Sequence, residues 1–122
     1  MDNHAKGKCA ELLVLSKLMR EEIQIAIPFG NQGGWDCLVE ENGKWMKYQI
    51  KCARKRARCI HREIDCRRSY VMRREPPRRE YKKGDFDFLI AVDIETQEMW
   101  KIPARNVIGR TSIALTDKYA WP

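Results

Sequence analysis

Asp36, Gln49 and Lys51 are the side chains of this 122-residue chain whose types and spacing best suit hydrolytic chemistry. They lie in the stretch WDCLVEENGKWMKYQIKC, residues 35–52. A carboxylate, an amide oxygen and an ammonium on one patch can hold a hard cation, orient a water and offset negative charge. The stretch supplies its own means of bringing them together. Asn42-Gly43 marks a two-residue hairpin loop, because both loop positions need positive φ. With that loop Glu41 faces Lys44, and Asp36 falls opposite Gln49. Opposed residues share a face with Cβ atoms about 5 Å apart, and Lys51 shares the face of Gln49. Tyr48, Ile50 and Cys52 point to the other side. Any half-buried amphipathic ribbon also shows polar residues on one face, so spacing alone leaves both readings open.

The order Asp36…Gln49-x-Lys51 resembles the PD-(D/E)xK nuclease core. That core is shared by restriction enzymes, archaeal-type Holliday junction resolvases and one class of group I intron homing endonuclease. The resemblance implies that Asp36 ligates a divalent metal and that Lys51 assists the attacking water. Two positions depart from the pattern. Trp35 stands where the proline would be, and Gln49 stands where an acid is usual, as in the intron-encoded branch.

Residues 6–22, KGKCAELLVLSKLMREE, read as a first helix, with Leu12, Leu15, Leu18 and Met19 forming an apolar arc. Glu11 falls inside that arc. A carboxylate there needs a cation, either a metal or Lys51, unless it snorkels from the arc's edge. The resemblance implies the metal, because resolvase-like members place a Glu on the first helix beside it. The opening KG…AE also resembles the start of those proteins. Lys6 and Lys8, near the helix's start, could meet a phosphate or simply face solvent. His4 falls in a terminus expected to fray.

The formal net charge is +7, and it is unevenly placed. From Arg54 to Arg79 there are eleven basic and three acidic residues, and ten of the eleven are arginine. A concentrated basic surface of this kind suits a polyanion, and the arginine fork suits phosphates and guanine edges. The candidate DNA contacts are Arg54, Lys55, Arg56, Arg58, Arg62, Arg67, Arg68, Arg73 and Arg74. A solvated basic loop is the plainer alternative.

Residues 23–27 form a short strand that Pro28 ends, and a Gly-rich loop then delivers the chain to Asp36. Gly34 falls cross-strand from Lys51 in the hairpin register, which leaves room for the lysine and a phosphate. The loop lacks the spacing of a phosphate-cradling P-loop. Residues 59–64 alternate like a strand. Residues 86–92 are a near-continuous apolar run, as in a strand covered on both faces. Residues 94–97 turn the chain, 99–102 return as a strand that Pro103 ends, 104–107 form a short helix and 111–115 a last strand. The run YKKGDFDFLIAVDIETQEMWKIPA resembles the C-terminal half of the intron-endonuclease branch, with Asp87 structural.

Five cysteines, an odd number, argue against a disulfide framework and for a reducing compartment. Cys52, Cys59, His61 and Cys66 match no familiar zinc spacing. No apolar run approaches the roughly 18 residues of a membrane span, and no signal-peptide pattern is present, so a cytoplasmic protein of a prokaryotic or phage-infected cell is expected.

These readings converge on a single α/β domain over residues 1–122 with a restriction-endonuclease-like core, a mixed β-sheet flanked by helices. The resemblance implies a metal-dependent DNA endonuclease of the site-specific intron-homing type. The implied metal is Mg²⁺, replaceable by Mn²⁺, held by Asp36, Glu11 and the Ile50 carbonyl, with Gln49 and Lys51 completing the catalytic set. The expected partner is double-stranded or branched DNA, cut by a homodimer or homotetramer. Alternatives are a Holliday junction resolvase and a non-catalytic nucleic-acid-binding module.

Overall fold

The computed structural model describes residues 1–30, 34–55, 62–69 and 78–122, and only the backbone of 67–69 and 78–80. The first element is helix α1, Asn3–Arg20. It starts earlier than the apolar pattern predicts because Asp2 caps it, accepting a hydrogen bond from the Ala5 N–H at 2.8 Å. His4 therefore lies within the helix. At the other end Glu22 adopts φ 58°. The Ile23 N–H then reaches the Leu18 carbonyl and the Glu22 N–H the Met19 carbonyl, which closes the helix with a left-handed cap.

The main sheet contains β1 (Ile25–Ala26), β2 (Cys37–Glu41), β3 (Lys44–Cys52), β8 (Phe88–Val92) and β9 (Met99–Pro103), in that spatial order. β3 and β8 run parallel and every other pair is antiparallel, so the sheet is mixed. The hairpin forms in the predicted register, Glu41 against Lys44 through Cys37 against Tyr48, with Asn42 at φ 52° and Gly43 at φ 81°. A parallel pair needs a long crossover. Here it carries β4 (Arg54–Lys55), β5 (Arg62–Asp65), β6 (Arg67–Ser69) and β7 (Arg78–Glu80). With β10 (Ser112–Leu115), β5 and β4 make a second sheet in the order β10, β5, β4, while β6 pairs with β7. Residues 104–106 are a single 3-10 turn.

The two faces of the main sheet are covered differently. α1 packs Ala10, Val14 and Leu18, all fully buried, onto Cys37, Val39, Tyr48, Ile50, Ile90 and Val92. The expected arc is thus misphased. Of its members only Leu18 is fully buried, Leu15 packs at the margin, and Leu12 and Met19 are 65% and 67% exposed. A helix lying close on a sheet takes small side chains at the contact, and a count of large apolar residues cannot see that. On the opposite face Ile64, Ile113 and Leu115 of the small sheet, with Tyr81 and Phe86, cover Leu89, Ala91, Trp100 and Ile102. Among the described residues one α-helix flanks the sheet, and the small sheet covers its other face.

Asp87 ties β3, the start of β8 and the turn after β9 together. Its N–H donates to the Lys47 carbonyl at 2.8 Å and its carboxylate accepts from the Lys47 N–H at 2.7 Å. Its own carbonyl accepts from Ala104. At the next turn the Asp93 carboxylate accepts from the N–H groups of Glu95 and Thr96, which shapes the β8–β9 connection.

Candidate active site

The β2–β3 ladder ends at Cys37, one residue short of Asp36. The Asp36 N–H donates to the carbonyl of Tyr48, the residue already paired with Cys37, where an even ladder would turn it away from β3. This slip releases the Asp36 side chain from the strict alternation of the ribbon. Its carboxylate turns along the sheet edge and accepts the Ile50 N–H at 2.7 Å. In a strand a residue's N–H and C=O point to the same neighbour. The Ile50 carbonyl therefore points to the edge that β2 has vacated, beside Asp36.

Glu11 approaches from α1. Its charge is near enough to raise the Asp36 carboxyl, and its Oε2 is 3.3 Å from Lys8 Nζ. Burial pushes the Asp36 carboxyl up to about 6; the Ile50 N–H opposes the rise and the neighbouring Glu11 charge adds to it. The same pocket acts on Cys37, whose thiol is pushed up to about 12 by burial and then by the Asp36 and Glu11 charges. Two carboxyls and a backbone carbonyl thus share one partly buried edge.

Gln49 and Lys51 lie on the face of β3 away from α1, paired in register with Leu89 and Ala91. Asp36 turns to the strand edge, where its neighbours are Ile50, Glu11 and Lys8, so it does not share one flat ribbon face with Gln49 and Lys51. The Lys51 Nζ lies 5.5 Å from the centroid of the Tyr81 ring. Gly34 is not cross-strand from Lys51, because the ladder has already ended. A Cβ at Gly34 would stand 3.0 Å from the Asp85 Cβ, so its bare backbone accommodates Asp85.

The family model for PD-(D/E)XK endonucleases matches residues 1–119. This chain belongs to the PD-(D/E)XK endonuclease family. A bacterial homing endonuclease, I-Ssp6803I, has a similar structure, with a TM-score of 0.83 over 98% of this chain and 89% of that one. At 24% identity the likeness establishes a common fold. No similar sequence is found among curated proteins.

PD-(D/E)XK endonucleases generally use divalent metals, and the oxygen atoms gathered at this edge are of a kind that fits one. They are hard oxygens, and a carboxyl raised by burial beside a second carboxyl gains when a cation replaces its proton. Among the described residues no group of three or more His, Cys, Asp or Glu side chains is placed to hold a metal. The carboxyls at this edge are the pair Glu11 and Asp36.

The basic residues divide. Lys6 and Lys8 are exposed on α1, next to the Glu11 end of the site. Arg54 is exposed and paired to Glu63 at 3.2 Å, and Lys55 is exposed. Arg62 is drawn inward to Asp93, with Glu98 at 3.8 Å, so its charge is committed within the protein. Arg67 and Arg68 pair in backbone with Glu80 and Arg79. Arg56, Arg58, Arg73 and Arg74 lie outside the described residues, as do Cys59 and His61. Cys9, Cys37, Cys52 and Cys66 are free thiols. Among the described residues no helix is long and apolar enough to cross a membrane.

Tyr81 and Asp85 touch the site but do not stand out in the sequence. The signal for them is indirect. An aromatic followed by Lys-Lys-Gly-Asp immediately before the central strand places a tight turn where that strand meets the hairpin.

Proposed function

We propose that this protein is a metal-dependent DNA endonuclease that hydrolyses phosphodiester bonds at specific sites, in the manner of intron-homing enzymes. The observation that carries the reading is the Glu11–Asp36 carboxyl pair beside the Ile50 backbone. Asp36, Glu11 and the Ile50 carbonyl would hold the ion, Mg²⁺ or in its place Mn²⁺. When bound it polarises the phosphate and lowers the pKa of coordinated water.

The chain's own groups do the rest. Lys51 presents an ammonium that offsets the negative charge gathered in the transition state and orients the attacking water. Gln49 donates its amide to that water or lends its carbonyl oxygen to the ion. As a neutral residue it leaves the site one negative charge short of an acid-bearing relative. This favours weaker metal affinity and reliance on one ion. Lys8 sits within ion-pair distance of Glu11, and with Lys6 it faces the phosphates adjoining the scissile bond. The arginine-rich crossover supplies the wider electrostatic footprint through Arg54, Lys55, Arg56, Arg58, Arg67, Arg68, Arg73 and Arg74. Each chain carries one site and a duplex has two strands, so the working enzyme is a homodimer or homotetramer. The homing activity of I-Ssp6803I, which shares the fold, supports the site-specific reading.

The test is Mg²⁺-dependent cleavage of supercoiled plasmid bearing a randomised insert, run beside a synthetic four-way junction. Selective linearisation of particular inserts is the expected result. Preferential cutting of the junction would redirect the reading to a resolvase, and binding without cleavage would reduce it to a non-catalytic module.

A further inference from the structure

The turn between β7 and β8 is fastened to both arms of the site. Tyr81, 4% exposed, lies with its ring centroid 5.5 Å from Lys51 Nζ. The ring is held edge-on against Phe86, with centroids 4.8 Å apart and planes at 90°. Phe86 is itself buried among Leu89, Ile102 and Val107, so Tyr81 cannot swing without moving the core. The Asp85 carboxylate accepts the Lys82 N–H at 2.8 Å, which closes the turn on itself. The same residue occupies the space that Gly34 leaves, one residue before the Trp35-Asp36 step.

We infer that Tyr81 is a positioning residue for catalysis: its buried ring holds the Lys51 ammonium in one place over its face. The inference rests on the proposed role of Lys51 in cleavage. A lysine side chain has four rotatable bonds and loses much of its freedom when fixed. A strand fixes only the Cα and Cβ of Lys51. An aromatic face within about 6 Å attracts the ammonium and selects one region of its range, an effect that grows with desolvation. Phe86 and the closed turn make that face rigid. The ammonium is then in place before substrate arrives, and the reaction does not bear the cost of ordering it.

The experiment reads the single-turnover rate of plasmid cleavage in Mg²⁺ at saturating protein, together with the half-saturating protein concentration. Tyr81→Phe keeps the ring face and is expected to cut within about threefold of wild type. Tyr81→Leu is expected to cut roughly five- to thirtyfold more slowly, with half-saturation changed less than about twofold, because ordering of Lys51 is lost and DNA contacts are not. Tyr81 is a core residue, so a shape-conserving series supplies the second measurement. Phenylalanine and its mono-, di- and trifluorinated forms at position 81 withdraw charge from the ring face at nearly constant shape. The rate should fall stepwise along the series while the melting temperature holds. A flat series overturns the inference, as does a Tyr81→Phe variant as slow as Tyr81→Leu. Lys51→Ala separates the two levels. If it cuts like wild type, the role of Lys51 falls and the inference with it. If it is inactive while the fluorinated series is flat, only the role of Tyr81 falls.

Discussion

The Asp36 carboxylate accepts the Ile50 N–H at 2.7 Å across the point where the β2–β3 ladder stops. That bond orients a partly buried carboxyl whose pKa stands at about 6, above its ordinary 3.8. The folded, metal-free protein therefore binds a proton more tightly than the unfolded chain does. This contribution to stability is fully present below about pH 4 and is lost as pH rises through about 6. In EDTA, the melting temperature should fall over that window, and Asp36→Asn should remove the slope. Metal affinity should run the other way, rising about tenfold per pH unit below 6 and then levelling, because binding releases one proton. Calorimetry with Mg²⁺ between pH 5 and about pH 7.5 reads this directly. A pH-independent affinity would contradict the shared carboxyl site.

Gly34→Ala places a Cβ 3.0 Å from the Asp85 Cβ, which is fixed by its own backbone. Overpacking of this kind costs about 1–3 kcal/mol. The melting temperature should drop by several degrees, and adding Asp85→Ala will not restore it, because the clash is with a Cβ that alanine keeps. Asp85→Gly should restore part of it. A neutral Gly34→Ala would show that the loop is not held against the turn.

Arg62 and the other crossover arginines should behave differently. Each phosphate contact contributes about −0.9 to the slope of log K against log salt. Arg56→Ala with Arg58→Ala should flatten the slope measured in Ca²⁺ by between one and two units, roughly one per contact. Arg62→Ala should leave the slope nearly unchanged and lower stability by on the order of 1 kcal/mol, since its partners are Asp93 and Glu98. The reverse pattern would mean that Arg62 leaves its carboxylates to reach DNA.

Gln49→Glu adds a carboxylate beside the proposed ion. The expected outcome is tighter Mg²⁺ binding and an altered Mg²⁺-to-Mn²⁺ preference, with cleavage retained. If Gln49→Glu were inactive while Gln49→Ala cut normally, the side chain would have no part in the chemistry.

The parts of this structure that sequence discloses are those set by local rules. Asn42-Gly43 fixes the hairpin because few residues accept two positive φ values in succession, and the register follows from it. The apolar run before Asp93 reads as a covered central strand because both of its faces are buried. The helix start was equally local, in an Asp2 side chain reaching Ala5. What sequence hides is set by packing at a distance. The phase of α1 depends on Ala10 and Val14 being small enough to approach the sheet, whereas Leu12 and Met19 attract the eye and face outward. The slip at Asp36 shows no composition signal, yet it turns the carboxylate from a ribbon face to the strand edge. Tyr81 meets Lys51 only because a long crossover returns to the same sheet.

The most direct measurement is cleavage of supercoiled plasmid in Mg²⁺ by Asp36→Asn beside wild type, with DNA binding measured in Ca²⁺ for both. The substitution keeps the size of the side chain and removes its charge. The account predicts that cleavage falls at least about a hundredfold, equivalent to losing some 3 kcal/mol of transition-state stabilisation, while binding stays within about threefold. Cleavage by Asp36→Asn at the wild-type rate would contradict the active site described for this endonuclease.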